Sequence, residues 1–123
     1  MARTPLTKST PLGSLPATLP LVANSADLTM TAADVGNGNS FVASGKDLVI
    51  VQNSHASTTY TVTVTSVAKD GRTGDITTYS LAAGVIAVFG PLQTPGWRQT
   101  DGSVYLAGSN AAIKFGIIDI SNF

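Results

Sequence analysis

From residue 27 onward, apolar residues either alternate with polar ones or run together in short segments. The clearest alternation covers residues 59–67, where Tyr60, Val62 and Val64 lie on one face and threonines occupy the other. A period of two in β-branched residues predicts a strand. Residues 47–52 contain a continuous apolar run, which is typical of a strand buried on both faces. Further short strands are predicted at 40–43, 75–81, 85–89, 104–106 and 113–120, with another candidate at 96–100.

Turn signals separate these segments at intervals of roughly 8–12 residues. Glycine, proline, asparagine and aspartate cluster at 37–39, 70–75, 84, 90–91 and 108–110. Asp101-Gly102 is a signal for a two-residue hairpin, and the one candidate for helix is a turn near 31–34. This spacing predicts an all-β fold, a single β-sandwich or jelly-roll-like barrel of about seven or eight short strands, over residues 27–123.

Residues 1–26 differ from this pattern and are predicted to form an extended, proline-rich N-terminal arm. Four of the six prolines lie here, at 5, 11, 16 and 20. Proline fixes φ and removes a backbone donor, so this stretch is expected neither to form a helix nor to pair fully in a sheet. Its apolar residues are more numerous than a solvated tail needs. They are Leu6, Leu12, Leu15, Leu19, Leu21 and Val22.

The arm therefore has two interpretations. One is a plain disordered tail. The other, which we favour, is a segment that docks along a neighbour's surface, since its prolines reduce the entropy lost on binding. A secretory signal peptide is disfavoured because prolines interrupt the apolar run of ~7–15 residues that such a signal requires. No stretch approaches the ~20 consecutive apolar residues of a transmembrane helix, so no membrane contact is predicted.

Composition narrows the classes of function. Only 11% of the 123 residues are charged, the formal net charge is zero, and all seven acids are aspartate. The absence of glutamate disfavours a helical bundle, and zero net charge disfavours nucleic-acid binding. Without cysteine there is no disulfide, thiol nucleophile or cysteine-ligated zinc, and a single histidine cannot build a multi-histidine metal site.

The zero net charge is the sum of two unequal parts. Arg3 and Lys8 give residues 1–26 a charge of +2, whereas residues 27–123 hold five basic and seven acidic residues and carry −2. We expect the arm of one copy and the body of an adjacent copy to attract each other, and salt to weaken that contact.

No residue pattern predicts a catalytic, cofactor or metal site. His55 lies in a polar turn and is interpreted as a solvated turn residue. Asp70 and Asp75 flank one turn and are the pair that a small hydrolase would use, but they look equally like turn residues bonding their own backbone. The same turn lacks the spaced oxygen ligands of a calcium loop. The protein is therefore predicted not to be an enzyme.

Large aromatic residues and strand edges without protecting charges instead indicate a protein that functions by binding other protein subunits. Trp97 and Tyr105 either form a platform for sugar stacking or, as we favour, anchor the core or a subunit interface together with Arg98. The strands are rich in threonine and valine, with little lysine to protect their edges. Oligomerisation or a lattice would cover such edges, so a homo-oligomer is expected.

The order of strands and turns resembles that of small β-sandwich proteins of tailed-bacteriophage heads. The resemblance covers about residues 27–120 and is carried by 47–53, 60–65, 81–84, 89–91, 97–102 and the final apolar strand. It implies a head decoration, or cement, protein. Such proteins bind the outside of an expanded capsid, often as trimers, and clamp neighbouring capsid subunits with extended arms.

The resemblance implies that the major capsid protein is the partner. It also implies that the chain is made in the host cytoplasm and ends on the exterior of the virion. A tail-fibre component or carbohydrate-binding β-sandwich module is the alternative. Our candidates for the interface are Arg3, Leu6, Lys8, Leu12, Leu15, Leu19 and Leu21 on the arm, and Trp97, Arg98 and Tyr105 on the body.

Overall fold

The computed structural model describes residues 2–15, 17, 19–21, 23–24, 26–69, 71–72 and 76–121. Within these residues ten strands form two sheets. They are β1 (Thr4–Pro5), β2 (Lys8–Ser9), β3 (Thr31–Ala32), β4 (Asn39–Val42), β5 (Asp47–Asn53), β6 (Tyr60–Thr65), β7 (Ile76–Leu81), β8 (Ile86–Leu92), β9 (Ser103–Gly108) and β10 (Ile113–Asp119). Sheet 1 has the order β1-β4-β9-β6-β7. Sheet 2 has the order β2-β10-β5-β8, and β3 also pairs with β10. The prediction of an all-β sandwich is confirmed.

The core lies between the two sheets and is filled by alternate residues of the longer strands. Sheet 1 contributes Val62 and Val64, and sheet 2 contributes Val49 and Val51; all four have no exposed surface. The predicted inward face of β6 is therefore correct. Each such side chain removed from water contributes about 1.5–3 kcal/mol of favourable burial.

Strand β5 is buried on one face only, so the prediction of burial on both faces was wrong. Its residues alternate between buried and half-buried along the whole strand. Leu48 and Ile50 point to the outer face of sheet 2, where the segment containing Leu28 and Met30 crosses Gly116 of β10 and gives partial cover. The apolar run therefore reflects a partly covered outer face rather than a central strand between two layers.

Two local predictions were also wrong. Residues 96–100 do not form a strand. Thr94–Trp97 makes a tight turn, α1, closed by a bond of 3.1 Å from the Arg98 N–H to the Thr94 carbonyl, and the dihedral angles of Pro95 and Gly96 within it are not helical. In place of the predicted helical turn at 31–34, residues 31–32 form strand β3, because pairing with β10 outweighs a weak local preference. Among the described residues no helix is long and apolar enough to cross a bilayer.

The beginning of the chain joins both sheets. β1 pairs in parallel with β4 of sheet 1, and β2 pairs in parallel with β10 of sheet 2. Leu6, between them, is 8% exposed and belongs to the core cluster. Residues 4–9 thus contribute strands to the sandwich, whose predicted start is residue 27, because short edge pairing tolerates a proline in β1.

Candidate interaction surfaces

Arg3 fixes the first residues of the chain to sheet 1. Its Nη1 donates to the carbonyl oxygens of Leu106, at 3.0 Å, and Asn39, at 3.3 Å. The guanidinium also lies over the Tyr105 ring, 4.3 Å from its centroid. A cation stacked on an aromatic face contributes about 0.5–1 kcal/mol at exposed sites. Two residues predicted for the interface, Arg3 and Tyr105, are therefore brought together, and they contact each other within one chain.

Hydrogen bonds of Thr4 to residues 34–39 also hold the start of the chain on sheet 1. The Thr4 N–H donates to the Gly38 carbonyl at 3.0 Å, and the Thr4 hydroxyl donates to Asp34. Asn39 is fully buried; it accepts from the Asp34 N–H at 2.9 Å and donates to the Thr4 carbonyl at 3.3 Å. The hydroxyl of Thr4 and the N–H of Asn37 hold the pKa of Asp34 below its usual value.

Lys8 fixes β2 to sheet 2 through charge. Its Nζ lies 3.0 Å from Asp47 Oδ1 and 3.9 Å from Asp119 Oδ2. The Asp47 side chain is fully buried and also accepts from the N–H and the hydroxyl of Ser44, both at 2.8 Å. Hydrogen bonds from Ser121 and the nearby positive charge of Lys8 lower the pKa of Asp119. Lys8 of the arm thus meets two aspartates of the body within its own chain.

Beyond Ser9 the arm presents its leucines to solvent. Leu12, Leu15, Leu19 and Leu21 are 42%, 89%, 73% and 47% exposed. The structure therefore divides the seven predicted arm residues. Arg3, Leu6 and Lys8 bind the chain's own body, whereas the four later leucines are exposed; of these, Leu12 and Leu21 also line a concave surface beside Leu28 and Ile118. Solvent exposure of four leucines on one short segment is unusual for a surface that stays uncovered.

Trp97, Arg98 and Tyr105 differ in exposure and in what they contact. Trp97 is half-buried, packs against the core and lies beside Pro95 and Val67. Arg98 is exposed. Tyr105 is half-buried on β9, and the guanidinium of Arg3 lies over its ring.

The Tyr105 hydroxyl makes a close charged hydrogen bond. It donates to Asp101 Oδ2 at 2.6 Å. This bond lowers the pKa of Asp101 and raises that of Tyr105, because it stabilises the carboxylate and the neutral phenol together. Asp101 also accepts from the Ser103 N–H at 3.0 Å, which holds the turn before β9.

That turn is not the predicted two-residue hairpin. The Gly102 N–H donates to the Gln99 carbonyl, and the Gln99 N–H donates to the Ser103 carbonyl. Gly102 has φ 89°, so it provides the left-handed residue that ends a three-residue loop.

Among the described residues, the candidates for a catalytic or metal site are not brought together. His55 Nδ1 accepts from the N–H groups of Ser57 and Thr58, at 3.1 and 3.0 Å, so the imidazole organises a turn. Asp70 and Asp75, the proposed hydrolase pair, lie outside the described residues. Within the described ranges no three histidine, cysteine or acidic side chains are close enough to hold a metal ion.

Sequence reasoning missed one buried polar residue that organises a corner of the sandwich. Asn53, at the end of β5, is fully buried and donates to the carbonyls of Thr58 and Leu81, both at 2.8 Å. Its Oδ1 accepts from the His55 N–H at 3.0 Å. An asparagine after an apolar run predicts an exposed turn. Only the structure, which buries Asn53 at the end of β5 beside β7, shows that it is a buried hydrogen-bonding residue instead.

The outer faces of the two sheets differ in chemistry. The outer face of sheet 1 carries Thr61, Thr63 and Thr65 of β6. The outer face of sheet 2 carries aliphatic residues in matching register. They are Leu48 opposite Ile118, and Ile50 opposite Val88, with Ile86 beside them. Ile86 and Val88 are 56% and 59% exposed. Sheet 2 therefore presents the more apolar surface near β8.

No family model, curated protein or solved structure matches this chain. The function is therefore interpreted from the geometry of these surfaces and the chemistry of their residues.

Proposed function

We propose that the protein is a structural virion component, a decoration protein that binds the outer surface of a tailed-phage capsid and stabilises it. The observation that carries this proposal is the run of four exposed leucines on the proline-stiffened segment after Ser9. Leu6 and Lys8 hold the start of that segment on the sandwich, so its leucines lie at a fixed place, close to Ile118 of sheet 2. Such a pre-fixed apolar segment loses little entropy when it docks.

The partner in this proposal is the major capsid protein, and binding occurs as a homo-oligomer. The resemblance alone favours a trimer, whereas the free edge of β8 favours a dimer, as argued below. Arg98 and the four outward leucines are available to capsid subunits, while Arg3, Leu6 and Lys8 keep the sandwich and the segment together. Burial of a leucine side chain contributes about 1.5–3 kcal/mol, so four of them provide a substantial apolar contact.

The test is co-sedimentation of the purified protein with expanded capsids. Deletion of residues 1–26 is a poor variant because it also removes β1, β2 and Leu6. The sharper variant replaces Leu12, Leu15, Leu19 and Leu21 with serine and leaves residues 2–9 intact. We expect it to fold normally and to lose most of its capsid binding.

A matched control replaces exposed valines elsewhere on the body. Val35, Val42 and Val67 are 55%, 70% and 36% exposed. Their replacement by serine is expected to leave capsid binding unchanged. Equal binding by the leucine variant and the native chain would contradict the proposal.

A sugar-binding or tail-fibre module is the second candidate, favoured by one observation. Trp97 is only half-buried, and the concave surface beside it is lined by Gln93, Pro95 and Val67. A partly exposed indole next to a polar amide can stack a sugar ring and bond a hydroxyl. Loss of binding to a glycan array in Trp97→Ala, with the fold retained, supports this candidate; the absence of glycan binding by the native chain contradicts it.

A further inference from the structure

We propose that β8 is a docking edge for the β8 strand of a second copy, which joins two chains by antiparallel pairing about a two-fold axis. This inference goes beyond capsid binding and does not depend on it. The starting observation is the topology: β8 ends sheet 2 and pairs only with β5 within the described part of the chain. A free strand edge presents backbone donors and acceptors that fit another strand.

The other sheet edges are blunted among the described residues. β1 and β2 have two residues each, with Pro5 in the first and the ion-paired Lys8 in the second. β3 also has only two residues. β7 is longer, but its pairing with β6 shifts register between Val62 and Val64, and its Thr78 has φ 47°. A bulge and a left-handed residue disturb an edge. β8 has both as well, with Gly90 at φ 112° and Pro91 after it, but they lie near its end, and residues 86–89 pair with β5 in unbroken register. The straight part of β8 is therefore the suitable template.

The backbone groups that face outward from β8 follow from its pairing with β5. The Asn53 N–H donates to the Val85 carbonyl at 3.1 Å, so the backbone of Val85 faces β5. Alternation then turns the backbone of Ala87 toward β5 and the N–H and C=O groups of Ile86 and Val88 toward the free edge.

The straight part of this edge is symmetric about Ala87. Gly84, in the preceding turn, and Gly90, where β8 leaves its regular register with β5, lie three residues on either side. Antiparallel pairing centred on Ala87 places Ile86 of each copy opposite Val88 of the other. Each of these two pairs exchanges two backbone hydrogen bonds, and the flanking glycines lie opposite each other without steric conflict.

Side chains and charge also fit a second copy. Ile86 and Val88 are more than half exposed on the outer face, so pairing brings apolar residues against apolar residues across the axis. No charged residue occurs anywhere from 76 to 97, so two copies of the edge meet without repulsion. The contact closes on two copies because a two-fold pairing uses the same edge on both.

The first test compares two lysine substitutions by sedimentation over a wide range of protein concentration. Val88→Lys places a charge on the proposed edge, where lysine opposes strand addition. Val42→Lys makes the same change at a site that is 70% exposed on β4, a strand paired with β9 of sheet 1. We expect the native chain and Val42→Lys to form dimers, and Val88→Lys to dimerise at least ~10-fold more weakly.

The second test measures the register directly. The chain has no cysteine, so a single introduced thiol can form a disulfide only with the same thiol of a second copy. Ala87→Cys places the two thiols in a directly opposed, non-hydrogen-bonded pair, where Cα atoms are about 4.5 Å apart and a disulfide fits. Ile86→Cys places its thiols diagonally, at roughly 7–8 Å, where bridging is disfavoured. We expect oxidation to cross-link Ala87→Cys much faster.

The proposal is overturned if the native chain is monomeric throughout, if Val88→Lys and Val42→Lys associate equally, or if both cysteine variants cross-link at the same rate. A trimer that tolerates Val88→Lys also overturns it. Val88→Lys leaves the outward leucines of residues 12–21 intact, so self-association and capsid binding are measured separately and either can fail alone.

Discussion

Asn39, Asp47 and Asn53 are polar yet fully buried, and each bonds to a strand end or a turn. A buried polar group that loses its partner costs about 1–3 kcal/mol, so these residues define where strands begin and end. The sequence could not identify them, because asparagine and aspartate beside an apolar run predict exposed turns. Their role depends on distant partners such as Thr4, Lys8 and Leu81.

Asp47→Asn tests the anchor of β2. The variant keeps the shape of the side chain but removes the charge that binds Lys8, and leaves Lys8 only the more distant Asp119. We expect the free energy of unfolding to fall by about 1–3 kcal/mol, less than for a fully buried pair because Lys8 is partly exposed. Urea denaturation measures the change. Asp27→Asn, the same substitution at an exposed site, is expected to have little effect.

The Asp101–Tyr105 bond predicts opposite dependences at acid and alkaline pH. The lowered pKa of Asp101 means that its contribution is present above the ordinary value of 3.8 and is lost as pH falls through the folded value. The raised pKa of Tyr105 means that its contribution is present below 10.0 and is lost as pH rises through the folded value.

Asp101→Asn is therefore expected to return the ionisation of Tyr105 toward its ordinary pKa, because the carboxylate no longer holds the phenol proton. Tyrosinate absorbance during an alkaline titration measures this shift. The same variant is also expected to show a smaller decrease in the free energy of unfolding as pH falls into the acid range. Asp27→Asn, beside sheet 2, serves as the control. An unchanged titration in Asp101→Asn would show that the bond does not form in solution.

At the scale of elements, every predicted strand of four or more residues is found except the candidate at 96–100. The period of two in hydrophobicity is sufficient to predict a strand that packs one face against the core, as in Tyr60–Thr65. It does not distinguish a strand from the tight turn at Thr94–Trp97, because Pro95 and Gly96 impose a local geometry. The two-residue strands β1, β2 and β3 have no periodic signal at all, since each depends on pairing with a distant strand.

The segment that covers sheet 2 gives an element-scale prediction. A methyl group on Gly116 would meet Met30 Sδ at 2.5 Å and Leu28 Cδ2 at 3.0 Å. Gly116→Ala is therefore expected to displace residues 28–30 and to reduce the free energy of unfolding by about 1–3 kcal/mol. Met30→Ala makes room, so the double variant should lose less than the sum of the single variants. A strictly additive cycle would show that the two residues do not touch.

At the scale of the whole molecule, the sequence correctly separated a polar threonine face from apolar runs, but it placed the start of the body at residue 27. Proline content predicted a segment outside the sheets, yet Thr4–Pro5 and Lys8–Ser9 pair with β4 and β10. The sequence gives the opposite charges of the arm and the body, but it does not show which residues pair. Lys8 meets Asp47 and Asp119 within the chain.

This internal pairing predicts how salt acts on folding and on assembly. Raising the salt concentration from about 0.05 to 0.5 M shortens the screening length and weakens partly exposed ion pairs. We expect the native chain to lose a few tenths of a kcal/mol of stability, and Lys8→Gln to show little further loss. The dimer built on the uncharged β8 edge should keep its mass, because no ion pair crosses that contact. Sedimentation across the same salt series measures this mass. Dissociation with added salt would show that charged arms, rather than strand edges, join the copies.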